Sequence, residues 1–393
     1  MFSDSGEVRP IVMDKTLFVY YAHKPGGLCP RLYRAIRACS DRGDCVRYLS
    51  LDAPPDGVIG EGVFHRIPFP LTARRGLLFW GGFTVWLPLY LLFVSVTWRP
   101  NRIVAFGAYY SAVSILAKGV CGVPVVLFLR SLTFKNDELT GKPSWLRKIT
   151  GAVDAIGISR ASLVVSMTQE MRREAERFSG RELSNHPILS NDLPIRREEQ
   201  IARARSEQLP ISAPFSCVVM GVIDQRKNIG VLIETWRILG LTTDFQLEIL
   251  GDGPLKKSLE SSYQGPHHGT VAPSAKTNVV FRGWVENTQH YLQSAAVMLH
   301  PALHEGVSNA VLEALATGVP VLASDIPEHR ELFGLPEGGG NLIAPHDARA
   351  WAEAVQRFLS DEGYRSAVAE IGRATAERLT FDWAQAAFDV TRF

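Results

Sequence analysis

The 393-residue chain has little cysteine, and that little is poorly placed for cross-linking. Its five cysteines (Cys29, Cys39, Cys45, Cys121, Cys217) are odd in number, scattered, and contain no C-x-x-C pair. This spacing argues against a disulfide framework and a zinc site, and fits a reducing cytoplasm. Excess charge is missing too: a formal net charge of +2 makes no case for nucleic acid as a partner, so any cationic function must be local. No solenoid-type repeat and no low-complexity tract is present. The start, "MFSDSGEVRP", is polar and partly acidic, unlike a secretory signal. No D-x-D metal signature closes a strand of the first half, and metal-independent chemistry is the consistent expectation.

What is present is a folded protein's composition, 46% hydrophobic and 21% charged, over a length that suits two domains. "LFVYYAH" (Leu17–His23) reads as a buried strand, "LCPRLYRAIRACSDRG" as a helix with Leu32, Ala35, Ile36 and Cys39 on one face. "CVRYLSL", "NRIVAFG", "PVVLFLR" and "ASLVVSM" continue the alternation. A charged, Pro-punctuated stretch near 194–214 reads as a linker. A second series follows: "FSCVVMGVI", "FQLEILGDG", "NVVFRGWV", "AVMLHPAL", "PVLASDI" and "NLIAP". The predicted fold is α/β, two doubly wound, Rossmann-like parallel sheets (1–195 and 213–376) facing each other across a cleft, where ligands bind at the strands' carboxyl ends.

The stretch "HEGVSNAVLEALATGVPVLASD" carries two glutamates, Glu305 before a helix and Glu313 inside it. Ser308 or Asn309 is the expected cap, and Gly318 with Pro320 the terminator. Glu313 lies one turn beyond Asn309 on the same face, beside free backbone N–H groups and the positive end of the helix dipole, an anion site that needs no metal. Gly221, Arg226 and Lys227 in "GVIDQRKNIG" follow the first strand of this half, another phosphate-binding position. Basic side chains beside a helix N-terminus suit a diphosphate leaving group. Gly251 in "LGDGP" and the glycine of "FRGWV" end further strands.

These segments resemble the family 4 glycosyltransferases, retaining sugar transferases of the GT-B fold. The likeness covers nearly the whole second half and, more loosely, the first. It implies Glu305 beside the transferred sugar, Glu313 on the nucleotide ribose, the backbone of Gly306, Val307, Ser308, Asn309 and Ala310 cradling diphosphate and sugar, and Lys227 neutralising phosphate. Trp284 would mark the nucleobase, and Gly26 and Gly27 the glycine turn of the first half that nears the donor. The donor would be a nucleoside-diphosphate sugar, with no further cofactor. Two positions depart from the pattern. Val222 stands where the family carries arginine, so either Arg226 supplies that charge or the phosphates are held less tightly. Arg130 replaces a histidine after "PVVLFL", and becomes a candidate phosphate or acceptor ligand; His23 and His65 read as structural or solvated. A same-fold epimerase or a non-catalytic nucleotide-sugar-binding protein are the competing readings.

"LLFWGGFTVWLPLYLLFVSVTW" (Leu77–Trp98) holds no charge, with Arg74, Arg75, Arg99 and Arg102 about it. It reads as a transmembrane span, a buried helix, or a surface-lying element that docks on anionic lipid. The last suits a peripheral cytoplasmic enzyme with a lipid-linked or glycan acceptor in bacterial polysaccharide or glycolipid assembly. The C-terminal segment 377–393 has an apolar face (Phe381, Trp383, Ala387, Phe388) expected to pack back on the first domain.

Overall fold

The computed structural model describes residues 13–23, 28–71, 76–133, 137, 142–193, 215–240, 245–264 and 278–392. Gly26, Gly27, Arg74, Arg75 and the linker at 194–214 lie outside these residues. The first sheet holds β1 (Lys15–Val19), β2 (Cys45–Ser50), β3 (Phe64–Arg66), β4 (Arg102–Phe106), β5 (Val125–Phe128) and β6 (Leu163–Val165). The second holds β7 (Phe215–Met220), β8 (Phe245–Leu250), β9 (Val279–Gly283), β10 (Val297–His300), β11 (Val321–Ser324) and β12 (Leu342–Ile343).

Both sheets are six-stranded, in the orders β3-β2-β1-β4-β5-β6 and, from the opposite edge, β9-β8-β7-β10-β11-β12. Every pairing is parallel. Helices cover both faces, so central strands such as β4 and β5 are buried at every position. The strand order reverses between β1 and β4 and again between β7 and β10, which opens a crevice at the carboxyl ends of those strands.

Three local differences from the sequence reading have physical causes. β3 pairs Tyr48 with Phe64 and Ser50 with Arg66, but at three residues it is too short to show a period of two. β1 starts at Lys15 and ends at Val19, although Tyr20 N still donates to the Leu49 carbonyl at 3.1 Å and the Tyr21 carbonyl accepts from Leu51 N at 2.8 Å. The helix Gly76–Trp98 is uniformly apolar yet lies on the domain surface: Phe79, Phe83, Leu87, Leu91 and Val94 are buried, while Leu78 (80% exposed), Val85 (69%) and Phe93 (62%) face solvent. With one stripe anchored in the domain core it is not a wholly buried helix, and by length and composition it is long and apolar enough to cross a membrane. Two residues expected at its membrane-facing end are otherwise engaged. Arg102 is buried on β4 and ion-paired to Asp14, with Asp44 3.8 Å away. Trp98 is buried with the Arg47 guanidinium 4.6 Å over its ring.

After the helix Glu362–Arg378 the chain crosses to the first domain, and the helix Trp383–Thr391 packs on the helix Cys29–Asp41. Trp383 is fully buried in the first-domain core, with Phe128 6.4 Å and the Arg34 guanidinium 5.4 Å from its ring. Arg392 closes the contact on Asp44 at 2.8 Å. Trp383→Ala leaves a large cavity there and is expected to cost about 3–5 kcal/mol. Urea unfolding followed by circular dichroism reads this; a loss below about 1 kcal/mol, typical of a surface site, contradicts that packing.

Candidate functional site

The crevice between β7 and β10 is built by two loops that hold each other. From the first, the Arg226 carbonyl accepts a hydrogen bond from Leu303 N (2.9 Å), and the Asn228 side-chain amide donates to the carbonyls of Pro301 (3.2 Å) and Pro345 (2.7 Å). Lys227 N is fixed by Asp224 Oδ1 at 2.9 Å. Gly221 has φ +142°, and a Cβ there would stand 3.1 Å from Lys227 Cε; a Cβ on Gly251 would stand 1.9 Å from the Gly221 carbonyl oxygen. Gly221 therefore leaves the space through which the lysine reaches inward, and Gly251 leaves room for the Gly221 carbonyl.

Lys227 reaches Glu305. Its ammonium donates to Glu305 Oε1, and Arg226 Nη1 donates to the same oxygen at 2.9 Å. Glu305 is buried, and burial alone would raise its pKa; Lys227, with His300 and Arg226, overcomes that and holds the carboxyl well below the ordinary range. His300 Nε2 lies 3.7 Å from Glu305 Oε1. Burial, then Lys227, lowers the His300 pKa to about 3, so this imidazole is neutral. Val222 is 49% exposed, while Arg226 brings a guanidinium to the carboxylate.

The helix Asn309–Ala316 follows. Ser308 occupies its N-cap position, but its side chain makes no capping bond; its Oγ is buried without a partner among the described residues. The Asn309 side chain instead accepts from Arg31 Nη1 of the first domain at 2.8 Å. The backbone N–H groups of the first turn are thus left uncapped by these side chains, beside the positive end of the dipole. Val311, Leu312 and Leu315 are buried, Ala310 is half-buried, and Glu313 accepts from Thr288 Oγ1 at 2.8 Å. Thr288 opens the helix beyond β9, where Trp284 stands 69% exposed.

Further contributors come from elsewhere in the chain: Arg130 is marked by its departure from the family pattern, whereas Asn191, Glu331, Glu328 and Glu174 carry no local sequence signal. Arg130, past β5, lines a cavity of about 260 Å³ together with Ser131, Met167, Asn191, Glu305 and Gly306. Asn191 accepts from Arg130 and donates to the Val307 carbonyl at 3.3 Å, linking the domains. Glu331 accepts from Gln169 N (2.5 Å) and Glu170 N (3.1 Å) at the start of a first-domain helix. His304 pairs with Glu328, and Glu174 from the first domain brings a carboxylate within 4.8 Å of both, a donor set of the kind that holds a metal ion. His23 shares a hydrogen bond with Tyr33 at 2.9 Å and His65 is half-buried.

The His300–Glu305 pair has a pH signature. A histidine whose pKa falls from 6.5 to about 3 on folding makes the unfolded chain bind more protons between those values, so stability declines as pH drops through that window. Glu305, also depressed, adds its loss only at lower pH, near the ordinary carboxylate range. His300→Asn is expected to flatten the upper part of the slope, between about pH 6.5 and 5, in urea titrations at a series of pH values. An unchanged slope there assigns the acid sensitivity elsewhere.

Comparison with known proteins adds to this geometry. Residues 26–189 match the model "Glycosyl transferase 4-like domain" and residues 214–361 match "Glycosyl transferases group 1", together well over half of the chain. The chain is 30% identical over 246 residues to the putative teichuronic acid biosynthesis glycosyltransferase TuaC of Bacillus subtilis, covering 61% of this chain and 57% of that protein. It is 27% identical over 207 residues, 52% of each chain, to the N-acetylgalactosamine-N,N'-diacetylbacillosaminyl-diphospho-undecaprenol 4-alpha-N-acetylgalactosaminyltransferase of Campylobacter jejuni. These matches thus span little more than half the length of either relative. HepE from Anabaena, solved in complex with UDP and glucose, superposes with a TM-score of 0.69 at 16% identity over 96% of this chain and 98% of that one, a likeness of fold. With both halves matched and both sheets in place, the chain belongs to the family 4-type glycosyltransferases of the GT-B fold.

Proposed function

We propose that the protein transfers a sugar, with retention and without a metal, from a nucleoside diphosphate of UDP type to a lipid-linked acceptor in bacterial polysaccharide or glycolipid assembly. The observation that carries this reading is the Glu305–Lys227–Arg226 cluster at the β7/β10 crevice, facing the uncapped first turn of the helix Asn309–Ala316. In this reading the diphosphate binds against the two cations where they stand, and the dipole and N–H groups of Gly306 to Ala310 stabilise the charge that grows on the leaving oxygen. Glu305 stays ionised beside the transferred sugar, where a carboxylate favours positive charge at the anomeric carbon. Glu313, at the turn joined to Thr288, holds the ribose hydroxyls, and Trp284 marks the base. The lipid-linked acceptor is supported by the diphospho-undecaprenol named for the Campylobacter relative, and the UDP donor by the ligand of the HepE structure.

A ribose contact acts in ground and transition states alike, whereas phosphate charge grows as the bond breaks. Glu313→Ala is therefore expected to raise the donor KM about ten-fold or more, and Lys227→Ala to lower kcat about a hundred-fold. Steady-state assays with excess EDTA present read both, with turnover persisting. Two variants indistinguishable from wild type contradict the site, and loss of turnover on chelation, restored by a divalent ion, points to His304, Glu328 and Glu174.

The exposed face of the helix Gly76–Trp98 is read as a bilayer-docking surface that keeps the enzyme peripheral on the cytoplasmic side. Its apolar stripe (Leu77, Leu78, Val85, Leu89, Phe93, Val96) is too large to be an incidental surface feature. Leu78→Glu with Phe93→Glu leaves the buried stripe intact. The pair is expected to abolish co-sedimentation with anionic vesicles without lowering the melting temperature. Wild-type protein that stays in the supernatant at low and high salt contradicts docking.

A further inference from the structure

Basic side chains line both walls of the cleft, and those of the second domain are met by a carboxylate at close range. Lys227 and Arg226 share Glu305. Across the cavity stands Arg130, half-buried at the exit of β5, its backbone carbonyl 3.6 Å from where a Cβ on Gly306 would lie. The one hydrogen-bond partner of the Arg130 side chain among the described residues is neutral, the Asn191 amide. Arg31, from the helix Cys29–Asp41, lies beside it with 8% exposure; its Nη1 donates to Asn309, its Nη2 to the Asp192 carbonyl at 3.1 Å, and its Nε is buried without a partner. The carboxylate of Asp192 does not balance the pair. Arg34 grips both of its oxygens (2.9 and 2.7 Å), leaving Arg31 at 3.8 Å.

Two guanidinium groups drawn out of water and close enough to repel, whose one nearby carboxylate, Asp192, is gripped on both oxygens by Arg34, are a costly arrangement. The strain shows in their chemistry. Burial, then the neighbouring Arg31, pulls Arg130 to about 9, and burial pulls Arg31 to about 10, with Asp192 opposing each. An oxyanion arriving from the cleft would relieve this. A guanidinium's planar fork suits a carboxylate or a phosphate, in two parallel N–H···O bonds. Asn191, held to the Val307 carbonyl, fixes the Arg130 side chain against the loop that carries Glu305. The donor diphosphate is provided for on the other wall.

Resting on the donor reading above, we propose that Arg130, backed by Arg31, forms a second oxyanion subsite on the first-domain wall, which selects substrates carrying an anionic group besides the donor diphosphate. Two sources present that chemistry at this wall: a carboxylate on the transferred sugar, as in a uronic acid, or a phosphate of the lipid-linked acceptor.

The test uses the full chain, wild type, Arg130→Gln and Arg130→Lys, with circular dichroism and melting temperature confirming each fold. Calorimetry gives Kd for UDP, UDP-glucose, UDP-glucuronate, and geranyl phosphate beside geraniol. Arg130→Gln is expected to leave UDP within about two-fold and to weaken one anionic probe relative to its neutral counterpart about ten-fold or more. Loss on UDP-glucuronate assigns the anion to the sugar, and loss on geranyl phosphate assigns it to the acceptor. Arg130→Lys recovers part of that affinity, because a point charge lacks the fork. Equal weakening of UDP itself makes Arg130 a third diphosphate ligand and overturns the proposal, as does a folded Arg130→Gln that binds every probe like wild type. Wild-type protein that binds no nucleoside diphosphate overturns the donor reading alone, and the geranyl phosphate arm then decides the subsite.

Discussion

An ionised carboxylate taken out of water must be met by positive charge, and much of the second domain is arranged to meet Glu305. The requirement reaches outward in steps. Lys227 must enter the crevice, so Gly221 carries no side chain; the Gly221 carbonyl crowds Gly251, so that residue carries none either. The loop bearing Arg226 and Lys227 must not drift, so Asn228, in a left-handed conformation at φ +53°, ties it to Pro301 and Pro345. Charges held this way need no rearrangement when new negative charge appears beside them, which is the condition under which electrostatic stabilisation is strongest.

The histidines show how narrow that arrangement is. His300 lies close to Glu305 yet remains neutral, because burial and Lys227 both oppose a second positive charge. His329, also buried, is held neutral-leaning by burial first and donates or accepts locally with Ser324. The cations that act at Glu305 are therefore Lys227 and Arg226, which both donate to its Oε1.

Much of this was legible one segment at a time. The strands of the second half are short, mostly apolar segments, and the "EGVSNAVLEA" turn carries its own helix start. What could not be read was non-local. Asn309 looks like a cap until Arg31, distant in sequence, claims its side chain. Arg102 looks like a lipid-facing flank because it follows a hydrophobic run; its partners Asp14 and Asp44 come from other parts of the sheet. Arg31 itself lies on a helix whose apolar face announces packing, and nothing nearby in sequence marks its guanidinium for the cleft. β3, with three residues, was below the length at which alternation means anything.

The return of the last helix changes what kind of machine the two halves make. A single connection would leave the domains free to swing and twist about it. Here the chain returns to the first domain after Leu379, and Leu193 N donates to the Leu379 carbonyl at 3.1 Å, so the return begins beside the last described residue of the first domain. Paired straps at one edge resist torsion while still permitting a jaw-like swing about that edge.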